Sequence, residues 1–292
     1  RDLSGTIRYL APRGADGTIA YQRYYLLGLE DVARLHWSGP PAAGRLVRGA
    51  NAKMRIAYNL YRVSRQRRRT EGHVGRYVAD LGDRSVRFAI DAHDARGVRD
   101  EDALAWSDLY FKANLWPSDH NAAKVVPVVN GNGLLDRRRI ELLRSLRNES
   151  RDVDVAFVTY FRPAREHLTR VFETLSGLGV RSDLTAVLDV EARPYAERLN
   201  RIGVTVTSRP VPPEALWARL ARAKVVILRP GRHGCLPWRT LDLLALGSCI
   251  ALVSPPGTAW PVPLLAGFEY ADCGVEHPAE RMRMNDGRTD RA

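Results

Sequence analysis

Residues 224–253 read KVVILRPGRHGCLPWRTLDLLALGSCIALV. Lys224 to Leu228 is a short apolar run of the kind that forms a buried strand, and it ends in a loop rich in Gly, Pro and Arg. Trp238 to Leu246 then carries leucines at helical spacing, Gly247 stops the helix, and Cys249 to Val253 is apolar again. Two parallel strands need a crossover between them, so strand, loop, helix, strand is the unit from which parallel sheets are assembled.

The same alternation continues backwards from this stretch. Val153 to Thr159, Leu184 to Leu188 and Val204 to Thr207 read as strands. Between and after them Pro163 to Leu178, Glu191 to Arg201 and Glu214 to Ala223 read as helices, the first opened by a proline, and Arg138 to Arg147 is an amphipathic helix ahead of them all. This order predicts a parallel sheet covered by helices on both faces, with ligands bound at the carboxyl ends of its strands.

The first half is less regular. Thr6 to Leu10 and Ser85 to Ile90 read as strands, as do Leu109 to Phe111 and Lys124 to Val129, with Pro127 placing the last at a sheet edge. Ile19 to Leu35, Ala50 to Arg69 and Asp100 to Trp106 read as helices, and Trp37 to Gly49 as a loop. A boundary between Asn130 and Asp152 leaves two halves of similar size. The expected fold is therefore α/β, with two Rossmann-like parallel-sheet domains, residues 1–145 and 146–275, facing a cleft, and a polar tail at 276–292.

Composition narrows the class. The chain has 292 residues, 45% of them hydrophobic and 27% charged, which fits a folded globular protein. No apolar stretch is long enough to span a membrane, and no apolar signal core follows Arg1, so a cytoplasmic location, peripheral to a membrane at most, is expected. Cys235, Cys249 and Cys273 make neither a disulfide framework nor a zinc spacing. The net charge is +12, and lysine occurs only at Lys53, Lys112, Lys124 and Lys224, so the other 41 cations are arginines. Such a skew is typical of a GC-rich genome, and it supplies planar donor forks suited to phosphate. The basic runs Arg62 to Arg69 and Arg137 to Arg139 read as solvated helix faces, since no nucleic-acid-binding motif accompanies them.

Three places can carry chemistry. In the 229–242 loop and helix, Gly231 and Gly234 let the backbone approach a ligand, the helix amino terminus offers amides to an anion, and Arg229, Arg232 and Arg239 add charge. Arg162 and Arg165 follow the strand at Val153 to Thr159 and fall on the same edge of the sheet; Arg165 reads equally as a first-turn residue facing solvent. Asp91, His93 and Asp94 follow the strand Ser85 to Ile90. The cluster suits a general base, and its plainer reading is a turn cap with a structural histidine. Lys112 pairs with phosphate, pairs with Asp91, or guards a sheet edge. Trp106, Trp116 and Trp238 are stacking candidates, Trp106 more readily a core residue.

The segment 229–253, with Arg239, Asp242 and Leu244-Ala245-Leu246-Gly247, resembles the donor-sugar loop and helix of GT-B glycosyltransferases, in particular their exostosin-like and group-1-like branches. Residues 87–94 and 108–114 resemble phrases of bacterial members, so the resemblance runs from about Ser85 to Val253. It implies a GT-B enzyme that moves a sugar from a nucleotide-diphosphate donor to a hydroxyl acceptor, a glycan or small molecule, with no metal and no other cofactor. In those terms Arg162, Arg165, Arg229 and Arg232 balance the diphosphate, and His233, Gly234 and Arg239 shape the donor pocket. Asp242 bonds the ribose or sugar, Asp94 or His93 is the acceptor base of an inverting reaction, and Asp91 and Lys112 are acceptor-side residues. Two other classes stay open: a non-catalytic nucleotide- or sugar-binding module, and an Arg-rich nucleic-acid-binding protein.

Overall fold

The computed structural model of the chain describes residues 5–10, 18–37, 73–93, 95–116, 123–132, 135–162, 167–231, 234–254, 257–261 and 270–272. The chain divides into two compact units, residues 1–136 with 258–261, and residues 137–257 with 262–292. The whole of the helix expected from Ala50 to Arg69, with its basic run at 62–69, and the tail at 276–292 lie outside the described residues.

The first unit is built on a six-stranded sheet of order β2-β1-β3-β4-β5-β6. Its strands are β1 (Thr6–Leu10), β2 (Arg34–Trp37), β3 (Val74–Asp80), β4 (Ser85–Asp91), β5 (Leu109–Ala113) and β6 (Val125–Val128). β1 and β2 pair in parallel, as do β4, β5 and β6. β3 departs from the expected all-parallel arrangement, running antiparallel to both β1 and β4. The cause is local: β3 turns directly into β4, with the Leu81 N–H donating to the Arg84 carbonyl at 2.9 Å and Gly82 at φ +89°. A second correction concerns the first helix. α1 (Thr18–Glu30) stops short of Leu35, and the chain continues into β2. β6 is the edge strand that Pro127 requires.

One face of this sheet packs Ile7, Tyr9, Tyr77, Phe88 and Ile90 against Tyr25 and Leu26 of α1. Gln22 of α1 is fully buried and fully bonded. Its amide donates to the carbonyls of His73 and Ile90 at 2.9 and 3.0 Å, and its Oε1 accepts from the Tyr77 hydroxyl at 2.8 Å. The opposite face packs Val74, Ala89 and Tyr110 against Ala103 and Leu104 of α2 (Glu101–Trp106). Asp100 caps that helix, accepting from the Ala103 N–H at 2.7 Å.

The second unit has six strands, all parallel, in the order β12-β11-β10-β7-β8-β9. They are β7 (Val153–Phe161), β8 (Ser182–Leu188), β9 (Thr205–Thr207), β10 (Ala223–Leu228), β11 (Cys249–Leu252) and β12 (Tyr270–Asp272). The helices are α3 (Arg137–Leu146), α4 (His167–Ser176), α5 (Ala196–Arg201), α6 (Pro213–Ala221) and α7 (Arg239–Ala245). Val155, Phe157 and Phe161 of β7 join Leu168, Phe172 and Leu175 of α4 and Leu199 of α5 in one core. The alternate residues Ala156 and Val158 are also buried, as a two-sided parallel sheet demands. α3 belongs to this unit, with Leu143 buried and Arg139 bonded to Glu214 of α6 at 2.8 Å. The unit boundary therefore falls before α3 rather than after it.

Both units are α/β and Rossmann-like. In the second, the strands run 3-2-1-4-5-6 in the order they occur along the chain. That order reverses direction between β7 and β10, and the helices leaving those two strands go to opposite faces, which opens a crevice at their carboxyl ends. No helix among the described residues is long and apolar enough to cross a membrane.

Candidate functional site

A pocket of about 280 Å³ opens at that reversal, lined by residues 157–160, 227–229, 231 and 237–239. Its walls are thus the end of β7, the end of β10 and the entry to α7. The loop between β10 and α7 closes on itself. The Gly231 N–H donates to the Cys235 carbonyl at 2.7 Å, and a Cβ at Gly231 would meet the Cys235 Sγ at 2.7 Å. Gly234 sits at φ +69°, a conformation L side chains rarely adopt, and its carbonyl accepts from the Gly257 N–H at 2.9 Å.

Two of the expected cations line the pocket, Arg229 and Arg239. Arg239 Nη1 donates to the Val158 carbonyl at 2.7 Å, which draws the guanidinium in toward β7. Burial holds its pKa below the ordinary arginine value, opposed by the charge of Asp242 and by Tyr160. Arg239 makes no salt bridge among the described residues. No acidic side chain described in the structure lines the pocket. A half-buried guanidinium in a pocket whose lining has no carboxylate attracts an anion. The rim adds two exposed aromatics, Tyr160 at 45% and Trp238 at 37% relative exposure. Trp238 is a stacking candidate by sequence; Tyr160 is not. It alternates with the buried Phe161 at the strand end.

The amide contribution expected from the helix differs. α7 is seven residues long and begins at Arg239. The Thr240 N–H already donates to the Pro237 carbonyl at 2.9 Å and the Leu241 N–H to the Trp238 carbonyl at 3.3 Å. Positive charge in the pocket comes from side chains instead.

The other candidate residues fall elsewhere. Asp242 is fully buried, and its Oδ2 accepts from the Trp217 indole at 2.9 Å. The expected ribose or sugar contact is corrected accordingly, since this carboxylate faces the α6–α7 packing and has no surface for a ligand. Arg162 lies at the carboxyl edge, 58% exposed, with its Nε 3.5 Å from Asp189 Oδ2 at the end of β8. It is not among the described residues lining the pocket. Arg165, Arg232 and His233 lie outside the described residues, as does Asp94 in the first unit.

In the first unit Asp91 and Lys112 end β4 and β5 and are both fully buried. Lys112 Nζ lies 3.6 Å from Asp91 Oδ1 and donates to the carbonyls of His93 and Ala113 at 2.6 and 2.7 Å. Asp91 also accepts from the Tyr110 hydroxyl and the His93 N–H, both at 2.9 Å. Burial, then the Asp91 charge, pushes the Tyr110 phenol far above its ordinary value. The network is internally satisfied, so of the three readings of Lys112 the pairing with Asp91 holds, and neither residue can meet an acceptor. His93 Nδ1 accepts from the Ala95 N–H at 2.9 Å. The neutral ring then carries its proton on Nε2, which makes that edge a donor rather than the expected base. The His73 ring stands edge-on to His93 at 4.7 Å.

Asn114, buried at the end of β5, has φ 57°, and the Arg96 guanidinium lies 4.0 Å over the Trp116 ring. Among the described residues no group of three or more His, Cys, Asp or Glu is placed to hold a metal ion.

No protein-family model matches the chain, and no curated protein matches it. Among solved structures it is similar to a protein from Listeria monocytogenes assigned as a UDP-N-acetylglucosamine 2-epimerase, at 13% identity and a TM-score of 0.33. The similarity covers 51% of this chain and 43% of that one, less than half of its length.

Proposed function

We propose that the second unit binds a nucleotide-diphosphate sugar in the β7–β10 pocket, and that the chain is a glycosyltransferase of GT-B type acting on a hydroxyl acceptor held by the first unit. The observation that carries the reading is Arg239: a half-buried cation, without a salt bridge among the described residues, in a pocket at the strand-order reversal. Arg229 and Arg239 balance the diphosphate, and Tyr160 and Trp238 offer flat faces to a base or sugar ring.

In the reaction the acceptor oxygen attacks the anomeric carbon as the bond from that carbon to the diphosphate oxygen breaks. The electron pair leaves with the diphosphate, where the arginines stabilise the growing charge in place of a metal ion. In an inverting reaction the hydroxyl proton goes to Asp94, because His93 Nδ1 is already engaged.

One observation favours a non-catalytic nucleotide-binding module as the second reading: the acceptor-side pair Asp91 and Lys112 is sealed from any ligand. A single experiment separates the two. The chain is titrated with nucleoside diphosphates and nucleotide-sugars, with and without magnesium, while release of nucleoside diphosphate in the presence of hydroxyl acceptors is followed. Magnesium-independent binding with turnover supports the transferase, binding without turnover supports the module, and no binding overturns both.

A further inference from the structure

The second unit has another hollow, of about 340 Å³, on its helical layer. Among the described residues it is lined by His167, Thr169 and Arg170 of α4 and by Arg198 of α5. None of these residues lines the β7–β10 pocket, so the chemistry of the hollow is independent of the nucleotide reading.

Three observations define that chemistry. First, the lining is basic: two arginines and a histidine. Second, the cations differ in their commitments. Arg198 directs Nε and Nη2 to a single oxygen, Glu173 Oε1, at 3.1 and 2.8 Å, which fixes its plane and leaves Nη1 uncommitted. Arg170 makes no hydrogen bond or ion pair among the described residues. Third, Thr169 is 1% exposed, and its Oγ1 has no hydrogen-bond partner among the described residues. A buried hydroxyl left unbonded is unfavourable.

We infer that this hollow binds the phosphate group of a small phosphorylated molecule. Arg170 and Arg198 hold the phosphate oxygens and Thr169 donates to one of them. The volume exceeds what a bare oxyanion fills and has the size of a small-ligand site, so an organic phosphate is favoured over the inorganic ion.

The test is calorimetric titration of the whole chain with inorganic phosphate and with a hexose phosphate at constant ionic strength, repeated with Arg170→Gln, Thr169→Val and Arg239→Met. The expected result is saturable binding, tighter for the hexose phosphate, weakened at least tenfold by Arg170→Gln and several-fold by Thr169→Val, and unchanged by Arg239→Met. Thr169→Val should also raise the Tm of the ligand-free chain, since it removes the unbonded hydroxyl. Equal affinity for the two ligands would still support a phosphate site, with inorganic phosphate as its source. Binding unaffected by Arg170→Gln, no saturable binding, or loss in Arg239→Met alone would overturn the inference, the last by moving the anion to the β7–β10 pocket. A lowered Tm in Thr169→Val would overturn it too, by showing the hydroxyl to be structural.

Discussion

The Asp242 carboxylate accepts a hydrogen bond from the Trp217 indole Nε1 at 2.9 Å, and both side chains are buried. The acidic residue of the 229–253 segment is thus used inside the protein, to hold α7 against α6. Asp242→Asn keeps an acceptor for the indole and should leave nucleotide affinity unchanged. Asp242→Ala strands the indole donor and should lower stability by about 1–3 kcal/mol, again without a specific effect on binding. Urea melts and nucleotide titrations of the two variants check both halves.

Arg239 should behave oppositely. Its desolvation is unfavourable in the ligand-free chain, so Arg239→Met, similar in length and apolar, should keep the Tm of that chain or raise it. It should abolish stabilisation by nucleotide, which for the wild-type chain amounts to about 2.7 kcal/mol at 100 times the dissociation constant. Differential scanning fluorimetry with and without ligand reads both effects.

Trp238→Ala and Tyr160→Ala should each weaken binding of a ring-bearing nucleotide by about 1–3 kcal/mol while leaving pyrophosphate affinity unchanged. Calorimetry with the two ligands measures the difference. Equal losses for both would show that the aromatic rim shapes the pocket rather than stacking on the ligand.

In the first unit, Lys112→Met leaves Asp91 charged and buried without its ion-pair partner, and should destabilise by roughly 3–5 kcal/mol. Adding Asp91→Asn removes the stranded charge, so the double variant should be more stable than Lys112→Met alone. Denaturant unfolding of the set tests whether the network is structural.

Several ion-paired carboxyls are held below their ordinary values, and the largest such effect is at Asp108, held down to about 2 from 3.8 by hydrogen bonds from the Arg87 side chain and backbone. A depressed carboxylate pKa contributes stability that is complete above the ordinary value and is lost as pH falls through the folded one. The unfolding midpoint should therefore drop between pH 4 and pH 2, and less steeply in Asp108→Asn. Because both side chains are exposed, the difference should shrink in high salt.

The second unit is readable from sequence because each strand is an apolar run bounded by Pro, Gly or charge. β12 is not, since a short strand at residues 270–272 shows its place only once β11 is there to pair with it. β3 escapes a sequence reading because Gly75 and Arg76 interrupt an apolar run, although Tyr77 and Ala79 alternate toward the core. The glycine-and-arginine loop points to the pocket, and Arg229, Gly231 and Arg239 line it. What sequence does not convey is the tertiary partner: Trp217 for Asp242 and the Asp189 carboxylate for Arg162. The reversed β3 has such an effect as well, since its amino end brings His73 to the carboxyl edge beside His93.

The pairing of β7 with β10 joins residues about 70 apart along the chain, Val153 with Ala223, whereas the β3–β4 hairpin closes through a tight turn. Local contacts can form early in folding, and distant ones wait until the intervening chain has been gathered in. The wall shared by Tyr160, Arg229 and Arg239 thus exists only after the β7–β10 seam has closed. A nucleotide that binds there would reward late assembly, acting as a reporter of completed folding on the growing or refolding chain.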